Sequence, residues 1–509
     1  MIGILLLISS MSLRNAYLPF TTIYDLTASR HSAIRQPETI LEKRAMAFQS
    51  FLSDESTRQE FQQFRSIVNE FSKSVFSQEN SNERSDNQNV SSLLEFSQQV
   101  LNRFDSIKDK RIKVVDFSPE MFKNVAIFAR IHSTLHTIVL SGTSIHLDQT
   151  QIKAASTIVD SLEKLLYPFL VSRSIDELIK SYKGRGIVLT AGKQHFSFVL
   201  HLVTTLRYHL NCSLPIQFFY NGAKDLPGRY QTVLKEFSDL ELADLGEYYK
   251  ASGKMGYEMK PLSLIYSRFK EVVFIDADAL FLQNPEVLFE FKTYKEAGTV
   301  YFHDRALVWG WLTSPSFSKS MIEFPSNRAQ SSRIWRETET VHELESGVVV
   351  LNKGGPVMYA LLTTAYLNLP PARDLVYEHV QGDKETFWMA HEALGIAYGF
   401  TPGYAGVVGY KEPSSVCGSV AHTDEESNLL WWQNGLLKSK GESEDVLEFE
   451  AYSLDLELGS HWNTGSPCCF VSSEPGREVF DLDYSKKQMI EAYKRSWQAV
   501  KKRVKALGD

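Results

Sequence analysis

Apolar positions recur at helical spacing in the first part of this chain and in short unbroken runs afterwards. Residues 40–71 and 147–170 carry the helical rhythm, the latter through Ile152, Ile158, Leu162, Leu165 and Leu166. Between them, residues 77–92 are polar and rich in Asn, Ser and Glu, which predicts a loose linker. From Gly184 onward, apolar runs alternate with amphipathic segments. Strands are predicted at 186–190, 216–220, 271–275, 299–302, 347–351 and 397–400. Helices are predicted at 195–210, 228–237 and 260–269, the first with Phe196, Val199, Leu200, Val203 and Leu206 on one face. A basic amphipathic helix from Tyr484, with Met489, Ala492, Trp497 and Val500, is expected to pack on the preceding fold.

Glycine sharpens the division. Only Gly3 and Gly142 precede Gly184, so 26 of the 28 glycines lie in the later part. Helices avoid glycine and the turns of an α/β fold need it. The fold class predicted is therefore α/β, a mainly parallel sheet with helices on both faces, preceded by a helical region. That region reads equally as a membrane-proximal stem or as a helical packing unit. Ligands of such sheets gather beyond the carboxyl ends of the strands.

At 509 residues, 43% hydrophobic and 23% charged, the chain has room for a large core and the balance of an ordinary globular protein. Its net charge of −7, without a long Lys or Arg run, argues against a nucleic-acid partner. Residues 1–13 are uncharged and mostly apolar, shorter than a spanning helix and without a basic n-region. They read as a degenerate signal, a shortened signal-anchor or a buried segment. Four cysteines, with Cys212 and Cys417 isolated and Cys468 next to Cys469, do not make a thiolate zinc site. Asn89-Val-Ser and Asn211-Cys-Ser are glycan acceptor sequons if the chain enters the secretory pathway.

The chemistry centres on Asp276 and Asp278, which follow the apolar run Val272-Val273-Phe274-Ile275. A turn after a strand lets two such carboxylates converge on a hard cation, Mn²⁺ or Mg²⁺, which bridges to a diphosphate and acts as a Lewis acid. Turn and cap roles explain the same aspartates without a metal. Haloacid-dehalogenase-type phosphatases also place Asp-x-Asp after a strand, but after the first one and before a small residue. Here two strand–helix units come first, and Ala279-Leu280-Phe281 follows.

Four blocks occur in order: VVFIDADALFLQNPE, ESGVVVLNK, YEHVQGDKETFW and CGSVAHTDEESNLLWWQNG. Together they resemble the fungal α-1,3-mannosyltransferase family, over roughly residues 185–435. That family is similar in layout to glycogenin-type transferases of the GT-A fold. The resemblance implies a retaining hexosyltransferase with Mn²⁺ as cofactor, GDP-mannose as donor and a mannose-terminated glycan or glycoprotein as acceptor. It also implies a lumenal catalytic domain in the Golgi, held by an N-terminal type II anchor.

The resemblance assigns roles residue by residue. Asp276 and Asp278 would hold metal and donor, with Ala277 between them and His422 as a third ligand. Thr190 and Gly192 would receive the nucleotide, and Lys260 the phosphates. The Lys-Pro pair of the glycogenin-type block is replaced here by Leu429-Leu430, so no phosphate-binding lysine stands there. Glu345, Ser346, Gly347 and Gly382 would contact the sugars, with Trp431 and Trp432 as neighbours. Asp383 and Glu385 are the catalytic candidates, as substrate-positioning groups in a front-face displacement. Asp383 also suits a helix N-cap. His461 is a second histidine candidate near the metal, and other tryptophans, Trp309 and Trp311 among them, read as packing.

The expected organisation is an anchor remnant in 1–25, a helical stem or N-terminal region in 26–183, the catalytic domain in 184–480 and a C-terminal helix in 481–509. Two further readings stay open: a catalytically silent glycan-binding subunit, and a glycogenin-like transferase using a UDP-sugar.

Overall fold

The computed structural model describes residues 40–508 except 53–54, 78–82, 108–115, 142–144, 146, 171–172, 251–254, 308–312, 337–339, 414, 441–443, 456–461, 464–467 and 472–476. The apolar N-terminus, Trp309, Trp311 and His461 lie outside the described residues.

Six helices come first: α1 (Ile40–Leu52), α2 (Glu55–Ser77), α3 (Glu83–Ile107), α4 (Pro119–Ser141), α5 (Gln149–Leu166) and α6 (Ile175–Ser181). The polar stretch read as a linker is thus largely helical, because the apolar face of α3 begins inside it. Val90, Leu93, Leu94, Val100, Leu101 and Phe104 recur every three or four residues and are all buried. Each large side chain buried contributes about 1.5–3 kcal/mol, which favours the docked helix over a solvated linker. Asp148 starts α5 with a reciprocal capping box to Gln151.

These helices pack as part of the body. Their apolar residues form one continuous core with two later helices, α9 (Val357–Leu367) and α10 (Thr386–Leu394). Polar contacts reinforce the join. Buried Arg130 of α4 donates to the carbonyls of Ala393 at 2.6 Å and Glu392 at 2.9 Å, and Gln49 donates to the Tyr366 hydroxyl at 2.8 Å.

The main sheet runs β3 (Leu240–Asp244), β2 (Ile216–Tyr220), β1 (Arg185–Thr190), β4 (Glu271–Ile275), β7 (Leu344–Asn352), β6 (Thr299–His303). Strands β1 to β4 pair in parallel, and β7 alone runs against its neighbours β4 and β6. The predicted mainly parallel sheet is therefore present, and its strands are near-continuous buried apolar runs, as two-sided cover requires. Residues 397–400 do not form the predicted strand: Phe400 makes one isolated bridge to Tyr301. Their backbone instead serves β6 from the side, Tyr301 donating to the Gly399 carbonyl at 2.9 Å.

A second, antiparallel sheet was not predicted. It is built from β8 (Tyr404–Glu412), β9 (Ser415–Thr423), β11 (Ala451–Asp455), β12 (Trp462–Asn463), β13 (Cys468–Val471) and β14 (Arg477–Asp481). Strand β10 (Leu429–Trp432) joins it to the short β5 (Leu280–Phe281), which follows the aspartate pair. Cys417 and Cys469 stand opposite each other on β9 and β13 and are joined by a disulfide. The last helix, α11 (Tyr484–Lys505), packs on α7 (Phe196–Thr204), with Trp497 against Phe198 and the Tyr493 carbonyl 3.0 Å from His201 Nε2.

Candidate active site

The carboxyl ends of β1 and β4 lie side by side, and β7 enters from the opposite direction at the same edge. Thr190 and Gly192 follow β1, and Asp276, Ala277 and Asp278 form the turn after β4. The turn is fixed through the backbone. Asp276 N–H donates to the Gly347 carbonyl at 2.7 Å, Ala279 N–H to the Asp276 carbonyl at 3.0 Å, and Gly435 N–H to the Asp278 carbonyl at 2.8 Å. Two positions require glycine by close approach. A Cβ on Gly192 would meet Asp225 Oδ1 at 2.1 Å, and one on Gly347 would meet Gln433 Nε2 at 2.6 Å.

Lys260, at the start of α8 (Met259–Tyr266), draws the site together from below. Its buried ammonium donates to the Ser346 carbonyl at 2.7 Å, the Ser346 hydroxyl at 3.0 Å and Asp276 Oδ2 at 3.4 Å, and lies 3.2 Å from Asp383 Oδ2. Burial alone would lower its pKa, but Asp276, Asp383 and Glu345 raise it above the usual lysine value. Asp276 is pushed up to about 7, first by burial and then by Asp278, Asp383 and Glu345, against the pull of Lys260.

A second lysine completes the arrangement. Lys384 donates to Asp304 Oδ2 at 2.6 Å and to Glu345 Oε2 at 2.8 Å, and both carboxylates are buried. Glu345 Oε1 in turn accepts from Gly347 N–H at 2.8 Å, so one carboxylate ties the lysine to the glycine turn. Gly382 precedes this lysine in the left-handed region, at φ 63°, with the Tyr257 ring where a Cβ would be.

A third lysine, Lys440, reaches back from the segment after β10 and donates to Asp278 Oδ2 at 2.7 Å. Burial raises the Asp278 pKa, but the charge and hydrogen bond of Lys440 outweigh it, and the carboxyl titrates below its usual range.

Other predicted residues stand elsewhere. Asp383 is not the helix N-cap. Glu385 holds that position, while the Asp383 carboxylate turns toward Lys260. The Glu385 carboxylate is fully buried and engaged: it accepts from Trp388 Nε1 at 2.5 Å and from Glu343 N–H at 3.1 Å. That is a structural strut beneath the site. Trp431 and Trp432 present no face to a sugar, since both are fully buried; Trp432 Nε1 donates to the Gly435 carbonyl at 2.7 Å. His422 stacks on Trp431 with centroids 4.1 Å apart, and burial pushes its pKa down to about 3. Its buried Nε2 has no hydrogen-bond partner among the described residues. Among the described residues, no three His, Cys, Asp or Glu side chains assemble as a metal cluster.

Sequence reasoning missed Lys384, Lys440 and Asp304 as site residues. Lys384 lies inside the YEHVQGDKETFW block and carried a signal. Lys440 lies outside every block, and only the path of the chain after β10 brings it to Asp278.

Residues 184–427 match the model of a family described as putative mannosyltransferase. The chain is 28% identical over 313 residues to the putative alpha-1,3-mannosyltransferase MNN14 of Candida albicans, across 51% of this chain and 44% of that one. It is 24% identical over 313 residues to the alpha-1,3-mannosyltransferase MNN1 of Saccharomyces cerevisiae, across 50% of this chain and 40% of the relative. The chain thus matches less than half the length of these relatives. Among solved structures, the galactosyltransferase LgtC with donor and acceptor sugar analogs is similar at 9% identity and a TM-score of 0.28, over 42% of this chain and 73% of that one. The resemblance seen in the four blocks holds over the matched segment.

Proposed function

We propose that this chain, whose residues 184–427 match the mannosyltransferase family model, is a hexosyltransferase that moves mannose from GDP-mannose to a mannose-terminated glycan in an α-1,3 linkage. The observation that carries this reading is the set of charge-paired groups at the carboxyl edge of the sheet, where Lys260, Lys384 and Lys440 each hold carboxylates. Such an edge receives a ligand that is anionic at one end and rich in hydroxyls at the other.

Asp276 and Asp278 offer only oxygen donors, one residue apart, and burial with neighbouring carboxylates leaves Asp276 short of positive charge. That donor set fits a hard divalent cation such as Mn²⁺, with these two residues holding it. The bound cation would supply Lewis-acid stabilisation of the departing diphosphate.

The remaining roles belong to the protein. Thr190 and Gly192 line the place where a nucleoside would lie. Lys440 supplies the phosphate-facing positive charge that Leu429-Leu430 does not, and exchanges Asp278 for the diphosphate as donor binds. Asp383, Glu345 and the Ser346-Gly347 turn orient donor and acceptor hydroxyls, with Lys260 and Lys384 fixing their carboxylates. Retention then needs no separate base: an oxygen of the leaving phosphate accepts the acceptor's hydroxyl proton on the same face. The Cys417–Cys469 disulfide supports an oxidising compartment, in keeping with a Golgi lumen. Among the described residues no helix is long and apolar enough to cross a membrane.

The test is a donor screen with and without Mn²⁺, comparing hydrolysis of GDP-mannose and UDP-glucose, with GDP binding followed by calorimetry. The expected outcome is Mn²⁺-dependent use of GDP-mannose, lost in Asp278→Ala. Preference for UDP-glucose would overturn the donor. GDP binding that ignores both Mn²⁺ and the substitution would overturn the metal bridge.

A further inference from the structure

Two sequons lie in this chain, and the structure separates them. Asn89 sits within α3, half-buried beside fully buried Val90, and the Ser91 hydroxyl accepts from Gln151 Nε2 at 3.2 Å. Asn211 stands at the end of a helical segment, exposed, with φ 50° in the left-handed region that terminates helices. Ser213 is exposed as well. The turn is held in place: Cys212 N–H donates to the Leu206 carbonyl at 2.8 Å, and Arg207 Nη1 donates to the Cys212 carbonyl at 2.6 Å.

Beside this asparagine lies one exposed aromatic ring, uncovered among the described residues. Tyr208, three residues earlier, is 69% exposed, and its ring centroid is 6.0 Å from that of Phe237. Tyr208, Phe237 and Asn211 border one depression of about 340 Å³, with Arg207, Ser213 and Asp239. Large aromatic side chains normally bury most of their surface. An exposed ring beside an acceptor amide has the shape and chemistry to receive the C–H face of a pyranose.

We propose that Asn211 carries an N-linked glycan whose first sugar lies over the Tyr208 ring. The bond formed joins the Asn211 amide nitrogen to C1 of the sugar. The bond broken links that C1 to the diphosphate of a lipid-borne oligosaccharide. The lipid diphosphate leaves with the electron pair, and the amide proton passes to the transferring enzyme's base. The site rests on the lumenal reading above, so its test carries an independent marker of that compartment.

The full chain, extended after Asp509 by a reporter sequon, is expressed in a yeast secretory host and digested with a peptide N-glycosidase. Wild type is expected to lose two glycans on digestion. Asn211→Gln and Ser213→Ala each lose one, and Asn89→Gln still loses two. Trimming to a single N-acetylglucosamine and then removing it should lower the melting temperature of wild type and leave that of Tyr208→Ala unchanged. A glycosylated reporter with no glycan at Asn211 overturns the site. An unglycosylated reporter overturns the compartment, and the site with it. An equal thermal shift in Tyr208→Ala overturns the sugar–ring contact.

Discussion

The helical region and the carboxyl edge of the sheet both bury ionisable groups, and they treat them in opposite ways. Among the helices, burial outweighs the neighbours of two groups. His132 is held well below the usual histidine range by burial and then by His136, and Glu163 is pushed up to about 7, mainly by burial. At the sheet edge, Asp304 and Lys384 keep each other charged, although burial still raises Asp276. Asp304 is drawn down to about 2, because Lys384 outweighs the effect of burial, and Lys384 is raised well above its usual value by Asp304 and Glu345. Lys353 supplies an internal control. It is more deeply buried and bonded to the Leu264 and Ser267 carbonyls instead of a carboxylate, and burial drives its pKa well down. Burial alone discharges a group; a placed counter-charge preserves it. Retained charge at the edge of a parallel sheet marks where an ionic ligand is met.

The largest test of this contrast removes a counter-charge. Lys384→Met leaves Asp304 and Glu345 buried without a cation and should destabilise the fold by about 3–5 kcal/mol, read from urea unfolding. A cost below about 1 kcal/mol would mean that this pair gains nothing from the lysine. Lys440→Gln tests the exchange of carboxylate for diphosphate. GDP affinity measured by calorimetry should fall about tenfold, or about 1.4 kcal/mol, with little change in unfolding. An unchanged affinity would make Lys440 a surface pair only.

A pH-dependent effect lies among the helices. Glu163 has a folded pKa of about 7 against an ordinary 4.5, so the folded state holds the proton more tightly. Its contribution is complete below pH 4.5 and is lost as pH rises through 7. Glu163→Gln should therefore match wild type at low pH and exceed it by about 3 kcal/mol at pH 8, read as the difference between the two unfolding curves. A stability gap independent of pH would show that Glu163 is charged in the fold.

Legibility followed the range of the interactions. The parallel strands were readable because two-sided burial writes unbroken apolar runs such as Val272–Ile275 into the chain. The antiparallel sheet was not, since its strands mix Gly, Ser and Tyr and depend on partners distant in sequence, as β8 depends on β11. The helix α3 was hidden because its outward face is polar enough to mimic a linker. Within the site, Asp276, Ser346, Glu345 and Asp383 were nominated from local blocks and Lys260 from the helix before β4, and the fold brings them together. Trp431, Trp432 and His422 were nominated from a block of the same kind, yet the chain stacks His422 and Trp431 on each other and buries Trp432 against Phe449.

The sequence by itself determined the α/β class, the turn after β4 and the four blocks that carry the family resemblance, because these depend on periodicity and on residues close along the chain. Only the tertiary structure decided which charges meet. Lys440 reaches Asp278 across 162 positions, and Lys384 reaches Asp304 across 80. Coulombic partners are chosen by distance in space, and a linear pattern does not encode that distance.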